Sequence, residues 1–156
     1  MATTINIDME KSEFLTSQNL IESPTLFYTA GHKYQARCQM IYFTGICGYK
    51  IVTDLITLRK DGWMLVESYF AWDGASGPAI DTNNNMRGSH AHDALAALMR
   101  MGLLPMSCIE PSNMVIRRLM IDDGARPWRA TGYKVVLDRT SFWANPKCAR
   151  PFNVAP

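Results

Sequence analysis

The sequence contains no long hydrophobic segment and no recognisable targeting signal. None of its apolar runs approaches the roughly 20 residues that a membrane-spanning helix needs. The amino-terminal stretch MATTINIDMEKSEF has no basic region followed by an apolar stretch and a small-residue cleavage site, so we expect no secretory signal. Because hydrophobic residues make up 47% and charged residues 19% of the 156 residues, we expect one globular domain made in a cytoplasm.

The sequence also lacks any paired cysteine motif. Its four cysteines occur without CxxC or Cys/His spacing, which argues against a zinc site. In a chain with no secretory signal the same scatter argues against a disulfide framework. We therefore interpret Cys38, Cys47, Cys108 and Cys148 as thiols of the core.

Charge of one sign does not dominate, but the two signs are unevenly distributed. The net charge is +2. Residues 1–99 hold 7 Lys and Arg against 10 Asp and Glu, whereas residues 100–156 hold 9 against 4. The basic residues are dispersed and lack interleaved aromatic residues, which favours a solvated surface over nucleic-acid or lipid contact. We predict no specific nucleic-acid partner.

The chain divides by composition into three parts. Residues 1–24 are polar and irregular and are predicted to form a loosely attached arm. Residues 25–145 are predicted to form a single globular domain, followed by a Pro-containing tail over residues 146–156. Strand-like runs fill the first half of the domain, and Asp61-Gly62 is a strong hairpin signal between two of them. This pattern predicts a small, mostly antiparallel sheet.

Two helices are predicted to follow the sheet. Ser89 is a suitable amino-terminal cap and Gly102 a suitable stop, which predicts a helix over roughly residues 90–101. Ser107 with Glu110 and Pro111 announces a second helix that ends before Gly124. The residues expected on its buried face are Asn113, Ile116 and Met120. With one further ordered element after them, the fold class is α+β, with the helices packed as an antiparallel pair.

The His92-Asp93 pair at the start of the first helix is the main candidate for chemistry. Neighbours on a helix point about 100° apart, so the two side chains need separate roles. His92 can act as a general base on a water while Asp93 binds a cation. Asn113 of the second helix can then accept a hydrogen bond from the other ring nitrogen. The alternative is a structural role for the pair, because the positive end of the helix dipole stabilises an Asp near the helix amino terminus. His90 is expected to face solvent.

A polar loop precedes this helix and is a second candidate. In WDGASGPAID, Asp73 and Asp81 flank glycines and a proline, and such a loop can offer oxygen ligands to calcium or N–H groups to an oxyanion. A tight turn between sheet and helix would explain the same residues. The loop candidates are Asp73, Gly74, Ser76, Gly77 and Pro78.

Together these motifs resemble a known family. The sequence resembles the domain of unknown function family 1353 of bacteriophages and prophages. The resemblance is carried by FAWDGASGP, then RGSHAHDAL, then a helix ending at Gly124, then RATGYKVV. The similarity covers roughly residues 69–137. The family pattern carries a Tyr at the position of Ala96 and an Asp at that of Asn113, so this sequence departs from it at both positions.

That pattern is in turn similar to the helix pair of secreted A2-type phospholipases. The similarity implies that His92 is the general base, that Asp93 is a calcium ligand, and that the loop from Asp73 to Pro78 completes the calcium site. Ala96 cannot supply the phenolic hydrogen bond of that helix pair, and Asn113 cannot supply its negative charge. Loss of an orienting carboxylate behind a histidine can reduce a rate by several powers of ten.

These resemblances lead to a preferred function and two alternatives. We expect a phage virion component, such as a tail or neck protein, with a degenerate His-Asp site and with other virion proteins or itself as partners. The first alternative is a calcium-dependent hydrolase of lipid or another envelope ester, which would also contact a membrane or envelope lipid surface. The second is an intracellular role against host defences. In the preferred case the protein is made in the host cytoplasm and assembled into the virion.

Overall fold

Short antiparallel strands come first along the chain and long helices follow. The computed structural model describes residues 9–26, 28–29, 34–74 and 82–148. Within these ranges the strands are β1 Tyr28–Thr29, β2 Tyr34–Ala36, β3 Met40–Phe43, β4 Ile51–Val52, β5 Ile56–Leu58, β6 Trp63–Val66 and β7 Ala71–Trp72. The α-helices are α1 Lys11–Thr16, α2 Asn83–Arg100, α3 Ile109–Asp122 and α4 Pro127–Thr140. The predicted α+β fold class is confirmed.

Two antiparallel sheets form instead of a single one. One sheet has the strand order β3-β6-β5-β4 and the other has the order β1-β2-β7. In the first sheet Met40 pairs with Val66, and Leu58 pairs with Met64 across the β5–β6 hairpin. Gly62 turns this hairpin with a φ of 90°, a value that favours glycine. The hairpin predicted from Asp61-Gly62 is therefore confirmed.

Helix α2 runs through the centre of the molecule and α3 packs along it. Gly88 of α2 lies against Ile116 of α3, and His92 further along α2 bonds to Asn113 earlier in α3. The order of these contacts makes the two helices antiparallel, as predicted. Helix α4 packs on the other side of α3 through a cluster of buried apolar residues, namely Ile116, Met120, Ala125, Ala130, Tyr133 and Leu137.

The start of α2 was predicted incorrectly. The helix begins at Asn83, because the Thr82 backbone N–H donates to Asn85 Oδ1 at 3.0 Å and the Asn-rich run forms the first turn. Ser89 is therefore inside the helix, where its hydroxyl accepts the indole N–H of Trp72 at 3.0 Å. Since Asp93 is far from the amino terminus, the helix dipole does not explain it. The predicted stop is confirmed by Gly102, with a φ of 72°.

The prediction of a loosely attached arm is wrong for residues 9–24. Helix α1 buries Phe14 completely against Ile41 and Leu65 on the outer face of the larger sheet. The segment is polar in composition, but Phe14 docks it on the sheet, with the partly buried Met9 and Leu20 packed beside it. Residues 1–8 lie outside the described residues.

Hydrogen bonds reinforce this docking. The Arg59 guanidinium donates to the carbonyl oxygens of Phe14 and Ser17 at 2.8 and 2.7 Å. The Ser23 backbone N–H donates to the Ile41 carbonyl, and the Ile41 N–H donates back to Ser23 Oγ, both at 2.8 Å. The segment is therefore bound to the larger sheet by both apolar contacts and hydrogen bonds.

The carboxyl-terminal end is described only as far as residue 148. Residues Pro146–Cys148 form a short 3₁₀ turn, and the rest of the predicted tail lies outside the described residues. None of the helices in the described part of the chain is long and apolar enough to cross a membrane.

Candidate functional site

The predicted contact between His92 and Asn113 is confirmed. His92 Nε2 lies 2.8 Å from Asn113 Oδ1, and both residues are buried between α2 and α3. Asn113 Nδ2 donates to Asp138 Oδ1 at 2.9 Å, which leaves the amide oxygen facing the ring. His92 Nε2 must then carry a proton to make the bond, so the neutral ring has its lone pair on Nδ1.

Asp138 is the site residue that the sequence analysis missed. It lies on α4, where its carboxylate accepts hydrogen bonds from Asn113 at 2.9 Å and from Lys134 Nζ at 2.6 Å. Burial by itself raises the pKa of the Asp138 carboxyl, but the hydrogen bonds from Lys134 and Asn113 lower it below its usual value. The carboxylate is therefore ionised at neutral pH.

These contacts form one chain of polar groups across three helices. It runs from His92 on α2 through Asn113 on α3 to Asp138 and Lys134 on α4. The Ser141 hydroxyl lies at 3.5 Å from Asn113 Oδ1, at the limit of a hydrogen bond. The negative charge that Asn113 lacks is thus supplied by Asp138, which contacts His92 only through the Asn113 amide. In the sequence, Lys134 and Asp138 show only the spacing of an ion pair on one helix.

Asp93 lies on the opposite edge of the His92 ring. Its Oδ1 is 3.5 Å from His92 Nδ1, and its side chain is 11% exposed. The ring therefore lies between an amide oxygen on α3 and a carboxylate on its own helix. The bond to Asn113 orients the ring, and the Asp93 carboxylate can stabilise the ring when it carries a positive charge.

The site is closed to bulk solvent in this structure. His92 is 1% exposed and Asn113 is fully buried. Ala96, one turn along α2 from His92, is also fully buried within the main apolar core. A general base needs access to the water from which it takes a proton. The described conformation does not offer that access.

The predicted calcium site is only partly within the described residues. Asp73 follows β7 and is exposed, Asp93 is buried, and Gly74 is buried with a φ of 84°. Ser76, Gly77, Pro78 and Asp81 lie outside the described residues. Among the residues that are described, no group of three or more His, Cys, Asp or Glu side chains is arranged to hold a metal ion. The calcium site stays a prediction.

The prediction that His90 faces solvent is wrong. The residue is completely buried, with Nδ1 at 2.8 Å from the Tyr42 hydroxyl and the rings of Phe70 and Trp72 packed edge-on. Burial lowers the pKa of His90 to about 3 and raises that of Tyr42 well above its usual value. Both groups are therefore neutral, and Tyr42 can donate to His90. Sequence patterning missed this because the central helix is buried on nearly all sides.

The chain matches no protein-family model, no curated protein and no solved structure. The resemblance of its motifs to the phage family therefore stays a prediction, and the interpretation of the site rests on its own geometry.

Proposed function

We propose that the chain is a structural or binding component of a phage particle, with a His-Asp site that no longer performs catalysis. The observation that supports this best is the enclosure of His92, which is 1% exposed. One ring nitrogen bonds to Asn113 and the other faces the Asp93 carboxylate at 3.5 Å. The assignment to a phage particle depends on the resemblance of the loop and helix motifs to the phage family.

In this proposal the polar chain is a structural device. The buried hydrogen bond between His92 and Asn113, continued to Asp138 and Lys134 at the surface, specifies how α2, α3 and α4 align, because His92 and Asn113 are costly to bury without partners. The rigid helix layer would then present its outer surfaces to other virion proteins or to a second copy. The protein would be made in the host cytoplasm and incorporated during assembly.

The test is the composition of purified particles. Mass spectrometry should detect the protein in virions of the phage that encodes it, in a constant ratio to a known tail or neck protein. His92→Gln keeps a hydrogen-bond donor toward Asn113 and removes the base, so this variant should be incorporated at the wild-type level. Particles that contain none of the protein would contradict the proposal.

A calcium-dependent ester hydrolase is the second candidate, and one observation favours it. Asn113 connects His92 to the ionised Asp138, so the ring retains indirect support from a carboxylate. In this proposal Nδ1 of His92 would accept the proton of an attacking water, and Asp93 and Asp73 would bind calcium. Local opening of the closed site would have to admit the water and the substrate.

The hydrolase has a direct assay. Fatty-acid release from mixed lipid micelles would be measured with calcium and with a chelator, for the wild type, His92→Gln and Asp93→Asn. Release that needs calcium and is lost in both variants would support the hydrolase and contradict a purely structural site. Absence of release from the correctly folded wild type would leave the hydrolase without support.

A further inference from the structure

Helix α4 has an outer face with unusually exposed apolar side chains. Trp128 is 70% exposed, Val135 is 43% exposed and Phe142, just beyond the helix, is 71% exposed. They follow one another at intervals of seven residues, so the two on the helix lie on the same face and Phe142 extends their line. The opposite face of α4 is already buried against α3 through Ala130, Tyr133 and Leu137.

A gap lies between the first two of these side chains. Gly132 has no atom within 4 Å of the point where a Cβ would be. It is therefore an open depression on the surface, between Trp128 and Val135. Projecting side chains next to a depression are the surface that a second helix needs, because its own side chains insert into such holes.

The segment of chain that carries this face is basic. Residues 126–148 contain five basic side chains and one acidic side chain, Asp138. The basic ones are Arg126, Arg129, Lys134, Arg139 and Lys147. Asp138 and Lys134 pair with each other at 2.6 Å, which leaves four basic side chains and no acidic one in the segment. A complementary partner should carry acidic residues beside an apolar stripe.

We propose that the face formed by Trp128, Gly132, Val135, Arg139 and Phe142, here called the α4 face, binds an acidic amphipathic helix of another protein. This inference rests on the proposed function, since it names the chemistry of the partner in the particle. A second copy is disfavoured because it would bring two basic faces together. A lipid surface is disfavoured because, among the described residues of this face, three large apolar side chains are exposed, and Thr131 and Asp138 interrupt them.

Binding of designed peptides tests the chemistry of the α4 face. The probe is a labelled 21-residue amphipathic helix with Leu at heptad positions a and d and Glu at e and g. Its control has Lys at e and g. Fluorescence anisotropy with the full chain should show binding of the Glu peptide about tenfold tighter than that of the Lys peptide, with the difference decreasing as salt increases.

Variants then locate the binding surface. Trp128→Ala and Phe142→Ala should each weaken binding of the Glu peptide about tenfold, because exposed aromatic side chains dominate such contacts. Arg139→Glu should weaken the Glu peptide and strengthen the Lys peptide. Tyr69→Ala is the matched control, since Tyr69 is an aromatic residue 60% exposed elsewhere on the surface, and it should change nothing.

Several results would overturn the inference. These are equal binding of both peptides, no binding of either, binding unaffected by Trp128→Ala, binding instead to anionic lipid vesicles, or self-association that Trp128→Ala removes. The proposed function fails separately, if virions lack the protein. If virions contain the protein and incorporate the Trp128→Ala and Arg139→Glu variants at wild-type levels, the function stands and the α4 face is not the docking surface.

Discussion

The amide of Asn113 determines the orientation of the ionisable groups around it. Its oxygen accepts from His92 and its nitrogen donates to Asp138, and neither contact survives if the amide is rotated by half a turn. An aspartate at this position would be closer to the pattern of the phage family that the motifs resemble, but its second oxygen would face the Asp138 carboxylate. The amide at residue 113 and the acid at residue 138 therefore form a matched pair.

Exchanging the two side chains tests this pairing. Asn113→Asp alone should lower the free energy of unfolding by about 1–3 kcal/mol, because it replaces a hydrogen bond with two facing carboxylates. Adding Asp138→Asn should recover at least half of the loss, since the amide and the carboxylate have then changed places. Urea unfolding of the wild type, the two single variants and the double variant gives the coupling energy between residues 113 and 138 directly. Additive effects of the two substitutions would contradict the matched pair.

His90 makes the stability of the fold sensitive to mild acid. Its pKa is about 3 in the folded protein, against 6.5 for an unperturbed histidine, so between these pH values the unfolded chain binds more protons. Stability should therefore decrease as the pH falls below 6.5, with a limiting contribution from His90 of about 1.4 kcal/mol per pH unit.

Urea unfolding between pH 7 and pH 5 measures this contribution. His90→Gln removes the titrating ring, so the free energy of unfolding of this variant should depend less steeply on pH. A variant with the same pH dependence as the wild type would show that the protonation of His90 is not coupled to folding.

At the scale of elements, the contact between α2 and α3 depends on a glycine. A Cβ at Gly88 would lie 2.9 Å from Ile116 Cγ1 and 3.1 Å from the Ile116 carbonyl oxygen. The second of these is a backbone atom, which cannot move aside without shifting α3. The close approach at Gly88 therefore controls the spacing of the helices that carry His92 and Asn113.

Two glycine-to-alanine substitutions should have opposite effects. Gly88→Ala should lower the free energy of unfolding by about 1–3 kcal/mol through overpacking. Gly132→Ala, in the exposed part of α4, should raise it by about 0.5–1 kcal/mol, because alanine favours the helix and meets nothing within 4 Å. Thermal or urea unfolding compares the two, and a loss of stability in both variants would contradict the geometry at Gly88.

At the scale of the whole molecule, the amino-terminal segment belongs to the fold. It covers the outer face of the β3-β6-β5-β4 sheet through Phe14 and reaches α3 through Glu22, whose carboxylate pairs with Arg118 at 2.8 Å. The segment therefore joins the sheet to the helix layer. Removing residues 1–24 should destabilise the domain, in contrast to what a free arm predicts.

The contribution of this segment can be measured with one substitution. Phe14→Ala should lower the free energy of unfolding by about 3–5 kcal/mol, since it empties a fully buried aromatic site. Ile21→Ala, in the same segment but 72% exposed, should change it by less than about 0.5 kcal/mol. Urea unfolding distinguishes them, and equal effects would mean that the segment is not docked through Phe14.

Short-range signals in the sequence were sufficient for several parts of the molecule. Asp61-Gly62 predicted the hairpin, and Gly102 and Gly124 predicted where α2 and α3 end, because each depends on the local backbone and on glycine's tolerance of positive φ. The contact between His92 and Asn113 was also predictable. Two helices joined by a short connection have few ways to pack, and both residues lie where α2 and α3 meet.

Other features depended on residues that are distant in the sequence. The burial of His90 depends on Tyr42 and the first sheet, and the docking of Phe14 depends on strands that come later in the chain. Asp138 reaches Asn113 only because α4 packs against α3. Composition and periodicity report how polar a segment is, whereas its neighbours are determined by how the elements pack. The sequence alone therefore determined the class of fold and the central polar pair, and the tertiary structure decided which other groups surround that pair and close it from solvent.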